Sequence, residues 1–307
     1  MGYTQSPLRY PGGKSSFSGL LAEFIILNNL QDGIYVEPYA GGAGASLNLL
    51  FSEHVSHLIL NDADRSLYLF WKSVLFDTER FIKLINDTPI SINEWQRRKE
   101  ITKSAQSHSE LEVAFSTFYL NRCNRSGILN AGPIGGHSQN GRWRIDARFN
   151  KKKLIRRIEK IALFNSRITI YNLDAIEFME QHVLPLSIPN NRLLVYLDPP
   201  YYSKGDQLYL NYYTADDHIK LAEFINRQYG FKWIVSYDNI PQIRQLYSER
   251  ATNVVSLNYS AYSARIGSEV IIYCPDCVVP DVLPGNNQPN CAISFNKRDY
   301  TCSRELY

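Results

Sequence analysis

The sequence is poor in sulfur, with five cysteines and two methionines in 307 residues. So few cysteines in a chain of this length make no disulfide framework, and a reducing cytoplasm is the expected compartment. Cys274 and Cys277 are the one close-set pair. Cys291 and Cys302 follow at irregular spacing, so neither zinc nor another metal is expected. No run approaches the roughly 18–20 apolar residues that a membrane span requires. The opening residues, Met1 to Ser6, lack the charged-then-apolar pattern of a secretory signal. Internal repeats and low-complexity tracts are also missing. Gly13-Lys14-Ser15 ends like a phosphate loop, but Leu8 stands where that loop needs glycine and no strand precedes it. The dinucleotide fingerprint fails as well: counted from Gly42, its last glycine position holds Leu47, which favours a nucleoside over a pyrophosphate.

What the chain does contain is unevenly placed. Between Arg122 and Lys160 stand eleven Lys and Arg against Asp146 and Glu159 alone, a net +9 in a chain of +3, which leaves −6 elsewhere. That asymmetry is the footprint of a polyanion-binding face on an otherwise mildly acidic protein. Arg122, Arg125, Arg142 and Arg144 sit among Asn, Ser, Gly and Trp143 in turns able to enter a groove, where arginine can read guanine. Lys151, Lys152 and Lys153 open a helical stretch and suit phosphates. The plainer alternative for the lysines is a solvated helix face. Tyrosine is abundant, at 21 residues.

The sharpest local signal is Asp198-Pro199-Pro200-Tyr201 after the apolar run Leu193–Leu197. The run reads as a strand buried on both faces of a parallel sheet, and two prolines force the chain off its carboxyl edge. Ligands of open α/β sheets bind at that edge. Asp198 and the Pro199 carbonyl are then two fixed acceptors beside the aromatic face of Tyr201. They suit a planar heterocycle bearing an exocyclic amine. Hydrogen bonds from both N–H groups would pull the nitrogen toward tetrahedral geometry and free its lone pair. Stacking on Tyr201 needs the ring and not the hydroxyl.

Along the chain, strand patterns recur at Ile34–Glu37, His57–Leu60, Arg167–Ile170, Leu193–Leu197, Trp233–Ser236, Asn253–Leu257 and Val270–Tyr273. Helical patterns join most of them. Pro38 to Gly44 makes a glycine turn between the first strand and a helix, where backbone can approach a ligand. Asp62, 18 residues past Gly44, is near the spacing of an acid that binds ribose hydroxyls, although Asp62 or Asp64 can also cap the next helix. Thr214 with Asp217 resembles a capping box. The tyrosine-rich stretch 202–213 lies beside the proposed mouth and has the makings of a lid. The expected fold is a doubly wound, mostly parallel, seven-stranded α/β sheet. A helical and hairpin insertion at 66–160 divides a catalytic domain at 1–65 and 161–275, and a tail of unassigned role covers 276–307.

Taken together, these motifs in this order resemble the Dam-type adenine-N6 DNA methyltransferases, over most of residues 7–273. Arg9 to Lys14 is similar to the family's amino-terminal cofactor motif, which implies that Tyr10 and Lys14 contact S-adenosylmethionine. Glu37, Pro38, Tyr39, Ala40 and Gly41 resemble its glycine loop, with Tyr39 for the usual Phe and Ala43 where a third glycine is common. The resemblance assigns Asp62 to the cofactor ribose, Asp174 to its adenine end, and Asp198 to both cofactor and substrate. It makes Asp198, Pro199 and Tyr201 the catalytic set, and implies a sheet of the methyltransferase type acting on a flipped adenine in double-stranded DNA. A restriction endonuclease or another defence component is the kind of partner such enzymes admit. Two alternatives stay open: another nucleic-acid amine (RNA adenine or cytosine N4) as substrate, or a catalytically silent DNA-binding defence component.

Overall fold

A computed structural model describes residues 5–9, 14–187, 192–202, 213–228, 230–259 and 265–280. Its seven-stranded sheet has the order β3-β2-β1-β4-β5-β7-β6. The strands are β1 (Gly33–Glu37), β2 (Val55–Asn61), β3 (Ile168–Tyr171), β4 (Leu193–Leu197), β5 (Lys232–Asp238), β6 (Thr252–Tyr259) and β7 (Arg265–Tyr273). The five strands β1 to β5 pair in parallel. The last strand enters antiparallel between β5 and β6, so the sheet is mostly parallel with an antiparallel end.

The apolar runs explain the centre of this sheet. All five residues of β4 are buried, as expected for a strand covered on both faces. From β1 the chain winds outward through β2 and β3, then returns to β4 on the other side of β1. The crossover direction therefore reverses between β1 and β4, the place where open α/β sheets form a crevice at their carboxyl edge.

Ten α-helices are described: α1 (Ser18–Leu27), α2 (Gly44–Phe51), α3 (Arg65–Phe76), α4 (Thr78–Asp87), α5 (Ile92–Lys103), α6 (Glu110–Cys123), α7 (Lys151–Ala162), α8 (Ala175–Phe178), α9 (Ala215–Asn226) and α10 (Pro241–Leu246). Their starts follow local chemistry. Asp64 accepts from Ser66 N at 2.8 Å to cap α3, and Ser109 with Glu112 forms a capping box on α6. The expected box of Thr214 and Asp217 opens α9, with both of its bonds present. Between β2 and β3, helices α3 to α7 gather around a cluster of aromatic rings that includes Phe70, Phe81, Phe115 and Phe118. Buried side chains join this cluster to those of the sheet without a break.

The expected hairpin did not form. Residues 124–150 hold a short 3-10 helix at Arg125–Gly127, turns and one isolated bridge, Asn124 to Pro133. Asn124 explains why: its Nδ2 donates to the carbonyls of Ile128 at 2.9 Å and Leu129 at 2.8 Å. Backbone acceptors tied to a side chain are not free to build a ladder. Among the described residues no helix is long and apolar enough to cross a membrane.

Candidate active site

Three adjacent strand ends build the site. At the end of β2, buried Asn61 stitches its neighbours together, donating to the carbonyls of Pro38 and Leu173, both at 3.0 Å. Asp62 follows it, and its carboxylate accepts from Gly41 N at 2.8 Å and Asp64 N at 2.9 Å. This locks the turn after β1 to the end of β2. The turn itself needs left-handed backbone at Gly41 and at Ala43, both with φ of 46°. Ala43 thus takes a conformation that glycine adopts at lower cost. Trp71 of α3 closes the turn from behind by donating to the Gly41 carbonyl at 3.0 Å.

Two acids of this edge have raised pKa values. Burial pushes the Asp62 carboxyl up to about 7, with Asp64 adding to the effect. Burial likewise pushes Glu37, at the end of β1, up to about 7 against a 3.0 Å hydrogen bond from Tyr35. Tyr39 stands half-buried on the same turn, its hydroxyl 2.7 Å from that of Tyr213. Asp174 caps α8 by accepting from Ile176 N at 2.9 Å and remains exposed.

Asp198 leaves β4 as the sequence suggested, but with company. Its Oδ1 accepts from Lys14 Nζ at 2.7 Å and from Ser236 Oγ of β5 at 2.9 Å. Since the Ser236 proton is committed to Asp198, Tyr196 donates to Ser236 at 2.8 Å. Lys14 also meets Glu269 of β7 at 3.1 Å, and Tyr201 donates its hydroxyl proton to the same Glu269 oxygen at 2.7 Å. Burial alone would strip Lys14 of its proton, but Asp198, Tyr201 and Glu269 outweigh it and push its pKa up. Burial raises the Asp198 pKa and Glu269 adds to it, while Lys14 pulls it down.

The expected residues therefore divide. Asp198, Tyr201 and Lys14 converge, and Glu37, Pro38, Tyr39, Gly41 and Asp62 line adjacent strand ends. The Lys14 ammonium binds the carboxylates of Asp198 and Glu269. The Tyr201 hydroxyl, expected to be idle, joins the same network. Tyr10 and most of the tyrosine-rich stretch (203–212) lie outside the described residues, as do Cys291 and Cys302. Glu269 and Ser236 were missed. Their one signal is a polar residue beside an apolar run, Ser236 after Trp233–Val235 and Glu269 before Val270–Tyr273.

The basic window divides too. Arg125, Arg142, Arg144, Lys152 and Lys153 are exposed. Arg122, expected in a groove, is instead folded onto backbone, donating to the Arg148 carbonyl at 2.8 Å and the Pro7 carbonyl at 3.4 Å. Burial and the neighbouring Arg9 and Arg157 lower its pKa to about 9. Lys151, expected on a phosphate, donates to the carbonyls of Asn86 and Thr88, both at 2.8 Å, at the end of α4. A cation fits there because terminal helix carbonyls are unpaired and negative. Arg9, Arg125, Trp143 and Arg148 line a cavity of about 540 Å³. Buried Asn121 holds Arg9 in that wall through both backbone groups, accepting from its N–H and donating to its carbonyl, each at 2.8 Å.

Residues 10–261 match the family described as D12 class N6 adenine-specific DNA methyltransferase. The Type II methyltransferase M.MjaIII of Methanocaldococcus jannaschii is 24% identical over 238 residues, which cover 72% of this chain and 78% of that protein. Among solved structures, the rRNA methyltransferase aviRa from Streptomyces viridochromogenes overlays 86% of each chain with a TM-score of 0.36 and 13% identity.

Proposed function

We propose, for a chain that belongs to the D12 class of N6 adenine-specific DNA methyltransferases, a division of labour along the carboxyl edge of the sheet. The observation that carries it is the convergence of Asp198, Tyr201, Asp62 and the Gly41 turn on neighbouring strand ends, where the crossover direction reverses between β1 and β4. S-adenosylmethionine fits the donor set on the cofactor side. Asp62 spends two acceptor positions on backbone amides, which leaves a carboxylate room to accept ribose hydroxyls. When bound, this cofactor supplies an electrophilic methyl on a positively charged sulfur. Glu37, Tyr39 and the Gly41 turn are the other protein groups on that side, with Tyr10, Lys14 and Asp174 as expected neighbours.

On the substrate side, Asp198 and the Pro199 carbonyl accept the two N–H groups of the adenine amine, and Tyr201 stacks on the ring. Lys14 opposes the rise that burial imposes on the Asp198 pKa, which favours a carboxylate able to accept the hydrogen bond of the amine. An adenine inside a duplex cannot reach these groups, so it must be turned out of the stack at a cost of a few kcal/mol. The insertion, residues 66–160, is the DNA-docking part of this reading. Arg9, Arg125 and Arg148 around their shared cavity, together with the exposed arginines 142 and 144, read bases. Lys152 and Lys153 hold phosphates. The name of the archaeal relative suggests a restriction-modification setting, hence a cognate endonuclease as partner and the cytoplasm as compartment.

The direct test is to incubate purified protein with plasmid DNA and S-adenosylmethionine, then map modified bases at nucleotide resolution. N6-methyladenine at a defined short sequence is the expected product. Methylation of cytosine, or of RNA alone, would replace the adenine reading.

A further inference from the structure

Glu269 lies outside every motif that pointed to function, yet its position is difficult to explain by packing. It is fully buried on β7, opposite Asp238 at the carboxyl end of β5. Its neighbours Val270, Ile271 and Ile272 are buried and apolar. Stability alone favours another apolar residue at such a place, since a buried ion pair rarely outperforms good packing. A charge kept there instead faces two groups of the proposed site.

Oxygen Oε1 of Glu269 accepts from Lys14 at 3.1 Å and from Tyr201 at 2.7 Å. Lys14 in turn bridges to Asp198 at 2.7 Å. A lysine paired with Asp198 alone would compete with a substrate amine for that carboxylate. A second anion divides the pull of the ammonium. We infer that Glu269 is a positioning residue for methyl transfer: it shares Lys14 with Asp198 and fixes the Tyr201 ring through its hydroxyl. The inference rests on the methyl-transfer reading above. In this arrangement Asp198 stays ionised and still has acceptor capacity for the amine.

Among the described residues, the titratable groups around Asp198 are Lys14 from the N-terminal turn, Tyr35 and Glu37 from β1, Tyr196 from β4, Tyr201 after it, Tyr237 from β5 and Glu269 itself. Lys14 is the one cation of this set. Neutralising Glu269 therefore strengthens the Lys14 hold on Asp198 and lowers the pH at which Asp198 loses its proton.

The test compares wild type, Glu269→Gln and Glu269→Asp in DNA methylation across pH, beside S-adenosylmethionine affinity by calorimetry and thermal melting. For Glu269→Gln, kcat should fall about tenfold or more while cofactor affinity stays within about threefold. The acidic limb of its kcat profile should move down by about half a pH unit or more. For Glu269→Asp, which keeps the charge but shortens the reach, kcat should fall and the limb should stay. A Glu269→Gln enzyme with wild-type kcat would overturn the inference, and so would a loss of kcat with the limb unmoved. If Glu269→Gln does not fold, Glu269→Asp decides, and wild-type turnover in that variant is the overturning result. Failure of wild type itself to methylate DNA would instead strike the underlying reading.

Discussion

Deleting the Asp198 carboxylate probes the chemistry most directly. Asp198→Ala should cost methylation a hundredfold or more, on the order of losing one preorganised polar partner, with DNA binding retained in a mobility-shift assay. Turnover within about tenfold of wild type would remove it from the catalytic role. Tyr201→Phe is now expected to be costly as well. It withdraws a 2.7 Å bond from fully buried Glu269 and should lower unfolding free energy by about 1–3 kcal/mol, read by denaturant titration. The acids make a pH prediction. Folded, Glu37 and Asp62 keep their protons to about 7, whereas unfolded carboxyls lose them near 4. The folded state thus holds more protons between these values, so their contribution to stability declines as pH rises from about 4 to about 7 and is level above. Half-buried His54 and buried His218, whose pKa values burial lowers from the usual histidine range, slope the other way. The check is therefore the difference in urea midpoint between wild type and Glu37→Gln at pH 5.5 and 7.5. A gap that does not change with pH would mean that Glu37 titrates normally. Asp198 was legible because two prolines advertise a strand end. Glu269 was not, because its partners Tyr201 and Lys14 stand 68 and 255 positions away.

Helix α7 shows how far a periodic pattern can be read. Leu154, Ile158 and Ile161 are buried at helical spacing, and some of the basic residues beside them were expected to face solvent as a stripe for phosphates. Which of those charges is free depends on neighbouring elements that the local sequence does not contain. Lys151 reaches α4 and terminates it, so Lys151→Ala should cost about 1 kcal/mol of stability and leave the salt dependence of DNA binding unchanged. Lys152→Ala and Lys153→Ala should leave stability alone and each flatten the log–log salt slope by about 0.9 if it holds one phosphate. Fluorescence titrations between 50 and 200 mM salt, beside thermal melts, separate the two classes. A flattened slope for Lys151→Ala would return that side chain to the DNA. Similarly, Arg142→Ala or Arg144→Ala should broaden the methylated sequence by about 1–3 kcal/mol of lost discrimination, seen in a methylome map. Arg122→Ala should first loosen the anchorage of residues 7 and 148.

Across the whole chain, strand positions were readable because each apolar run is short and bounded by turn residues. The pairing of β7 between β5 and β6 was not, since a ladder partner leaves no mark on its own strand. The meeting of residues 5–9 with the insertion was equally hidden. Asn121 grips both backbone groups of residue 9. Gly127, at φ of 79°, is packed so closely that an added Cβ would stand 2.1 Å from the Arg9 carbonyl oxygen. This contact has a bearing on transplantation. Grafting residues 66–160 from a relative, to exchange one target sequence for another, would pair a foreign helix end with a native amino-terminal segment. Such a hybrid should melt below both parents, and moving residues 5–9 along with the graft should restore the melting temperature. The piece that can be inherited intact is therefore discontinuous, the insertion together with the short segment that Asn121 and Gly127 hold against it.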